Sequence, residues 1–244
     1  MAATPAWPPK STPRLFVEEA LGEGVALRLD GPQAHYLLSV MRLKAGDPLK
    51  LCDDQTGEWL ARVSSAAKRD LVVSVEAQLR PREAVPDLWL AVAPIRKARF
   101  DFVAEKACEL GVARFLPVLM QRCVADKVKP DRLRAQMIEA AEQCGRTALP
   151  EVADVQSLDR FLKDFPAERM LIFADEEGGM PLSEVAATSS SAAILIGPEG
   201  GFADAERAAI LAHPSAKGVS LGPRILRADT AALAAVAVWM AAQA

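Results

Sequence analysis

A two-part α/β fold is the architecture this sequence predicts: a small N-terminal β-barrel, then a mostly parallel sheet flanked by helices. Three observations carry it. Residues 14–79 fall into short apolar runs of strand length, separated by Gly and Asp turns. The stretch Arg80-Pro81-Arg82-Glu83-Ala84-Val85-Pro86 then combines two prolines with three charges, which breaks regular structure and marks a boundary. Beyond it, strand-like and helix-like segments alternate to the end, the pattern of parallel α/β sheets. Residues 1–80 are therefore expected as one domain and 81–244 as a second, and a chain of 244 residues, 51% of them apolar, is long enough for both.

In the first domain, strands are expected at 14–17, 25–29, 49–52, 59–63 and 71–75. One helical segment interrupts them between Pro32 and Gly46, with Ala34, Leu37, Leu38, Met41 and, at its edge, Val40 on an apolar face. In the second, a strand at 88–93 leads to a helix near 97–110. That helix sets Phe100, Val103, Ala104, Ala107 and Leu110 on one side and stops at Gly111, which suits the left-handed residue that ends a helix. A strand at 115–119, a helix near 131–144 and strands at 170–173, 192–196 and 219–221 follow. The last helix, from 229 to about 243, is almost wholly Ala, Leu, Val, Trp and Met; with no solvated face, it should be buried by the fold or by a partner subunit.

Composition narrows the function classes. A net charge of −3 does not by itself advertise nucleic-acid binding, although a local basic face is compatible with it. Cys52, Cys108, Cys123 and Cys144 form no C-x-x-C pair and fit reduced cytosolic thiols. With only His35 and His213, a zinc site of the usual spacing is not expected, nor any other metal. Residues 1–13 read as a loose tail rather than a signal peptide, and the apolar run 231–242 is too short to span a bilayer.

The chemistry concentrates in two Gly-Pro segments, Ile196-Gly197-Pro198-Glu199-Gly200-Gly201-Phe202 and Leu221-Gly222-Pro223-Arg224-Ile225-Leu226-Arg227, each following a buried strand. They sit where parallel sheets bind ligands, at the C-terminal edge. The spacing G-x-x-G-G is not the dinucleotide fingerprint, and no Gly-Lys-Ser/Thr follows. Pro198 has no N–H for a pyrophosphate, so a neutral ligand edge such as adenine fits better. An isolated turn of this kind reads first as a plain strand-to-helix connection; two from adjacent strands can enclose a ligand.

Several motifs in one order then carry a resemblance over nearly the whole chain: Arg14-Leu15-Phe16-Val17, His35-Tyr36-Leu37-Leu38-Ser39-Val40-Met41-Arg42-Leu43, Lys97 to Arg99, Glu105-Lys106-Ala107-Cys108-Glu109-Leu110-Gly111-Val112, Gln121-Arg122-Cys123 and Ala140-Ala141-Glu142-Gln143-Cys144-Gly145-Arg146, before the two turns. The chain resembles the bacterial small-subunit ribosomal RNA methyltransferase E family, which methylates N3 of a uridine with S-adenosylmethionine. The resemblance implies an N-terminal PUA-like barrel that binds RNA and a C-terminal domain of the SPOUT class, with a trefoil knot and an active homodimer. Pattern alone gives an unknotted doubly wound sheet instead. It also implies a cytoplasmic enzyme whose partner is 16S ribosomal RNA, within the small subunit or its precursor. A non-catalytic RNA-binding assembly factor and a related methyltransferase of transfer RNA are the competing readings.

Cofactor contacts are then expected from Ile196, Gly197, Glu199, Gly200 and Gly201 in the first turn, and from Leu221, Gly222, Ile225 and Leu226 in the second. Two departures from the family pattern stand out. Asp229 replaces the usual Glu, and Ala203 replaces a Ser or Thr, so the capping box with Glu206 is expected to be lost and Asp204 to cap instead. Arg227 is the first choice to stabilise a deprotonated uracil, with a salt bridge to Asp229 or Glu199 as its structural alternative. Asp229 reads both as proton acceptor or Arg227 partner and as a helix N-cap; Glu199 reads as holding the turn through backbone hydrogen bonds or facing the sulfonium. Arg42, Arg96, Lys97, Arg122 and Arg146 are the candidates for RNA phosphate contacts.

Overall fold

The computed structural model describes residues 12–125 and 127–243, so the expected N-terminal tail lies, up to residue 11, outside the described residues. Contacts divide the chain into two units: the described residues up to Ala84 with Ala141–Ala148, and Val85–Ala140 with the residues from Leu149 onward.

In the first unit, strands β1 (Arg14–Phe16), β2 (Ala26–Leu29), β3 (Pro48–Asp53), β4 (Gly57–Ala66) and β5 (Leu71–Pro81) form one sheet in the order β1-β3-β4-β5-β2. All pairs are antiparallel except β1 with β3. Alternate residues, Leu27 and Leu29, Leu49 and Leu51, and Leu71, Val73 and Val75, are buried in one core. That alternation fixes register, because a one-residue slip would turn every one of them to the other face.

Helix α1 (Gly31–His35) continues into a π-helical turn over Tyr36–Val40, where the Met41 N–H reaches back to the Tyr36 carbonyl at 2.9 Å. Ala34 and Leu37 are buried, but Val40 is 61% exposed, which corrects its place on the expected apolar face. The wider turn leaves Ser39 and Val40 facing outward, while Leu38 and Leu43 still pack on the core. Arg42 follows with φ 58°, in the left-handed region that non-glycine residues seldom adopt.

The boundary expected between residues 80 and 81 differs in two respects. β5 runs through Pro81, and residues 141–148 return to the first unit. Arg14 Nη1 donates to the carbonyls of Ala141 (3.1 Å) and Arg146 (3.2 Å), Arg80 Nη2 to that of Gly145 (2.8 Å), and the Glu83 N–H to Thr147 Oγ1 (2.9 Å). These bonds join residues more than sixty positions apart, beyond the reach of local pattern.

The second unit is built on an all-parallel sheet. Its strands are β6 (Asp87–Val92), β7 (Arg114–Leu119), β8 (Glu151–Val152), β9 (Gln156–Ser157), β10 (Met170–Ala174), β11 (Met180–Pro181), β12 (Ser191–Ile196) and β13 (Ala216–Ser220). The order is β11-β13-β10-β12-β6-β7-β8, with β9 also on β7. β12 lies between β6 and β10, and β13 on the far side of β10. This is not the order of a doubly wound sheet, which corrects the pattern-only expectation.

Helices α2 (Lys97–Glu109), α3 (Pro130–Cys144), α4 (Leu158–Lys163), α5 (Leu182–Ala186), α6 (Asp204–Ala212) and α7 (Ala228–Ala242) connect the strands. β12 is buried from Ala192 to Ile196, as a strand covered on both faces must be. α2 buries Phe100, Val103, Ala104 and Ala107 and ends at Gly111 with φ 93°. α7 packs on α2, α5, β6 and β12 through Ala232, Ala235, Val236 and Trp239. Its opposite side is not covered: Ala237 and Val238 are exposed, so within this chain the helix is buried on one face only.

Candidate functional site

β10, β12 and β13 are neighbours, so the chain leaves all three at one edge of the sheet, after Ala174, Ile196 and Ser220. Parallel sheets bind ligands at that edge. A cavity of about 670 Å³ opens there, inside the range of roughly 300–1,000 Å³ common for small-molecule sites. Its first two walls are the Gly-Pro segments, which beyond Ile196, the last residue of β12, are neither helix nor strand. Ile196, Gly197, Glu199 and Gly201 line it from one side, and Leu221, Gly222, Ile225, Leu226 and Arg227 from the other.

Backbone conformation explains two of the glycines. Gly201 has φ 70°, and a Cβ there would stand 2.6 Å from Glu176 Oε1. Gly222 has φ 116°, a value closed to other residues without strain. Phe202 is buried beside Gly201 and meets Phe173 of β10 edge-to-face at 6.0 Å, which ties the first turn to the sheet.

The cavity has two further walls that sequence reasoning missed. One is the loop after β10, from Ala174 to Gly178, which contributes Asp175, Glu176 and Glu177. Arg207 on α6 holds it: Nη2 donates to Asp175 Oδ2 at 2.8 Å and Nη1 pairs with Glu177 at 2.9 Å. The hydrogen bond to Asp175 keeps the Arg207 guanidinium above its ordinary pKa. The signal was available, since residues 170–173 read as a strand and its C-terminal end belongs to the binding edge. The other wall is the first turn of α2, with Arg96 and Arg99. The cavity is thus bipolar, acidic at Asp175, Glu176, Glu177 and Glu199, basic at Arg96, Arg99, Arg224 and Arg227.

Several expected roles are redistributed. Gly200 does not line the cavity; it packs against Arg122, whose Cβ would be 3.4 Å from a Cβ added to Gly200. Arg122 Nη1 donates to the carbonyls of Gly200 (2.9 Å) and Phe202 (3.1 Å). Arg122 therefore holds the first turn, the role expected of Glu199, whose exposed side chain makes no hydrogen bond among the described residues.

Nor is the capping box lost outright. Ala203 is the N-cap of α6, its N–H donates to Glu206 Oε2 at 2.9 Å, and Asp204 is the first helical residue rather than the cap. The Glu half of the box survives because it needs only a backbone donor; an Ala side chain cannot supply the other half.

Arg227 lines the cavity, is exposed, and makes no side-chain hydrogen bond or ion pair among the described residues. The alternative salt bridge from Arg227 to Asp229 or Glu199 is not formed among the described residues: Asp229 is paired with Arg99, Nη1 to Oδ2 at 2.5 Å, and Glu199 makes no ion pair. Asp229 neither lines the cavity nor caps α7; the N-cap is Arg227, without a side-chain bond. Of the RNA candidates, Arg42, Arg96 and Lys97 are exposed. Arg146 is only 5% exposed, buried among the contacts that join residues 141–148 to the first unit, which corrects its assignment to phosphate binding.

The cavity's size, its apolar lining from Ile196, Phe202, Leu221 and Leu226, and an acidic side facing it suit an amphipathic cation such as S-adenosylmethionine. Among the described residues no group of three His, Cys, Asp or Glu side chains is placed to hold a metal, and no helix is long and apolar enough to cross a membrane.

Comparison with known proteins gives a consistent result. Residues 81–240 match the RNA methyltransferase domain family, and residues 29–76 the RNA methyltransferase PUA domain family. The chain is 31% identical to the ribosomal RNA small subunit methyltransferase E of Rickettsia conorii, covering 92% of this chain and 93% of that protein. Among solved structures, it is similar to a putative methyltransferase of Legionella pneumophila in complex with the cofactor SAM (TM-score 0.87, 29% identity, 95% of this chain and 98% of that one). It is likewise similar to the ribosomal RNA small subunit methyltransferase E of Neisseria gonorrhoeae bound to S-adenosyl methionine (TM-score 0.85, 26% identity, 93% and 96%).

Proposed function

This chain belongs to the ribosomal RNA small subunit methyltransferase E family, and from that premise we propose that it methylates N3 of a uridine in 16S ribosomal RNA, using S-adenosylmethionine. The observation that carries the reading is the convergence of both Gly-Pro turns on one bipolar cavity at the C-terminal edge of the parallel sheet. Ile196, Gly197, Gly201, Leu221, Gly222, Ile225 and Leu226 would surround the cofactor, with the Glu176 side nearest its positive charge.

When bound, the cofactor supplies a methyl carbon on a cationic sulfur. The N3 proton leaves to solvent, the N3 lone pair forms the bond to carbon, and the C–S pair stays on sulfur as a neutral thioether. Alignment of the two partners accounts for much of the acceleration, of order ~7–11 kcal/mol in well-oriented cases. Arg227, which lines the cavity and has no partner among the described residues, would face the charge that spreads over the two uracil carbonyls, where a fork of donors is most effective.

Arg42 on the first unit, and Arg96 and Lys97 at the start of α2, are proposed to contact RNA phosphates. The target base must be unstacked to expose N3, so an RNA fold that already presents it is the favoured substrate, which points to the small subunit and to the cytoplasm. We also propose a homodimer, for which the uncovered apolar side of α7 is the support.

The test incubates enzyme and cofactor with small subunits lacking the modification and locates the methyl group by mass spectrometry of nuclease fragments. A methyl on uridine N3 is expected. Transfer to any other atom, or none while the cofactor binds, would sink the assignment.

A further inference from the structure

The first turn of α2 breaks a local rule. Helix N-termini carry a positive partial charge that favours acids and disfavours cations, by about 0.3–1 kcal/mol per group. Yet α2 opens with Arg96, Lys97 and Arg99 and has no acidic residue in that turn. Violations of this kind are expected where function outweighs local stability. Arg99 and Arg96 both line the cavity, and Asp229 approaches Arg99 from the first turn of α7.

The geometry of that pair decides what each partner can do. Asp229 Oδ2 accepts from Arg99 Nη1 at 2.5 Å, and Oδ1 accepts from the Thr230 N–H at 2.9 Å. Each oxygen accepts a hydrogen bond, and Asp229 is not on the cavity wall, which is a poor situation for a proton acceptor. Arg99 keeps its Nε and Nη2 donors without a partner among the described residues, and its side chain is 37% exposed. A guanidinium anchored by one nitrogen and open at the others is prepared to receive a planar acceptor.

We propose that Arg99 contacts a carbonyl of the deprotonated uracil, and that Asp229 is a positioning residue acting through Arg99. This rests on the methyl-transfer reading above. It divides the work at the reacting end between two cations, Arg99 held by Asp229 and Arg227, which also lines the cavity. The N3 proton goes to water, since neither arginine can accept it and Asp229 does not line the cavity.

The experiment uses the full chain and small subunits lacking the modification, with R99A, R99K, D229N and the R99A/D229N double variant. Single-turnover rates are measured against pH, subunit KM against salt, cofactor Kd by calorimetry, and thermal unfolding for every variant. R99A is expected to slow transfer about a hundredfold and to move the rising limb of the pH–rate profile about one unit alkaline, because the bound uracil loses a cation that favours its ionised form. R99K, which keeps a cation without the fork, falls between R99A and wild type. D229N slows transfer about tenfold with an unchanged pH profile, and the double variant is within about twofold of R99A, as expected of residues acting in series. Cofactor Kd stays within about threefold in every variant, which separates the proposal from a loosened fold.

Loss of the rising limb in D229N would make Asp229 the base and overturn the proposal. So would multiplicative losses in the double variant, or an R99A effect confined to KM with a salt slope smaller by about one, the mark of a phosphate contact. A wild-type enzyme that does not methylate uridine N3 sinks the functional reading itself; an active wild type with any of these variant outcomes sinks only the inference.

Discussion

Gly201 combines both reasons a turn demands glycine, a left-handed φ of 70° and a carboxylate oxygen, Glu176 Oε1, where a Cβ would have to go. G201A should therefore cost about 1–2 kcal/mol of stability from backbone strain alone. For a chain of this size that lowers Tm by roughly 2–8 °C. It should also displace Glu176 and raise the cofactor Kd about tenfold, read by calorimetry; unchanged affinity would mean that the acidic wall does not face the cofactor. Arg122 offers a sharper discrimination. If it holds the first turn through the Gly200 and Phe202 carbonyls, R122A raises the cofactor Kd about tenfold and leaves the salt dependence of RNA binding intact; a phosphate contact would give the reverse. Both turns were legible in the sequence because glycine carries its conformational meaning with it. Arg99 was not: its partner is 130 residues away, and nothing local separates a paired arginine from a solvated one.

The longer strands and helices were legible from periodicity, since β12, β6 and α2 each have a burial pattern that their own residues dictate, but β13 begins three residues before the run read at 219–221, and the short β8, β9, β11, α4 and α5 were not read. The wall after β10 was passed over because Asp175-Glu176-Glu177-Gly178 has the composition of a solvated turn; only its place on a strand end next to β12 and β13 makes it part of a site. The first unit illustrates the same limit in energetic terms. Glu58 on β4 is 4% exposed and accepts from Arg14 Nε of β1 at 2.7 Å and Arg80 Nε of β5 at 2.8 Å. Burial works against its charge, but the bonds and charges of those two arginines win and hold its pKa below the ordinary 4.5. A carboxyl depressed in the folded state stabilises fully above its unfolded pKa, and the contribution disappears as pH falls through the folded value. E58Q should thus lose about 3 kcal/mol at pH 7, where Arg14 is left buried without its counter-charge. Its stability should also fall less steeply than wild type below about pH 4.5, the ordinary value for this carboxyl. Urea midpoints at pH 7 and pH 3.5 test both, and parallel pH dependence in the two proteins would show that Glu58 is not a source of acid sensitivity.

At the scale of the whole molecule, periodicity names the strands but not their order. Nothing in the runs 192–196 and 219–221 shows that β12 inserts between β6 and β10 while β13 takes the far side of β10; that order is settled by which faces can be buried together, a property of all the elements at once. The same holds for the last helix. Its composition gave it no solvated face, and within one chain it buries Ala228, Ala231, Ala232, Ala235, Val236 and Trp239 while Ala237, Val238 and Ala241 remain exposed. Val238 is 37% exposed, the large apolar side chain on that uncovered side. A helix apolar all round belongs in an interior, so the uncovered face is explained if a second copy covers it; a stable interface of this kind removes about 800 Å² from each partner. V238E places a charge in such a patch, where it would be desolvated without a partner, at a cost of several kcal/mol per dimer. The expected outcome is a wild-type dimer by light scattering at micromolar concentration and a monomeric V238E that keeps its fold by circular dichroism. A wild-type protein that scatters as a monomer, or a V238E variant that remains dimeric, would remove α7 from the interface and leave its exposed apolar side to some other partner.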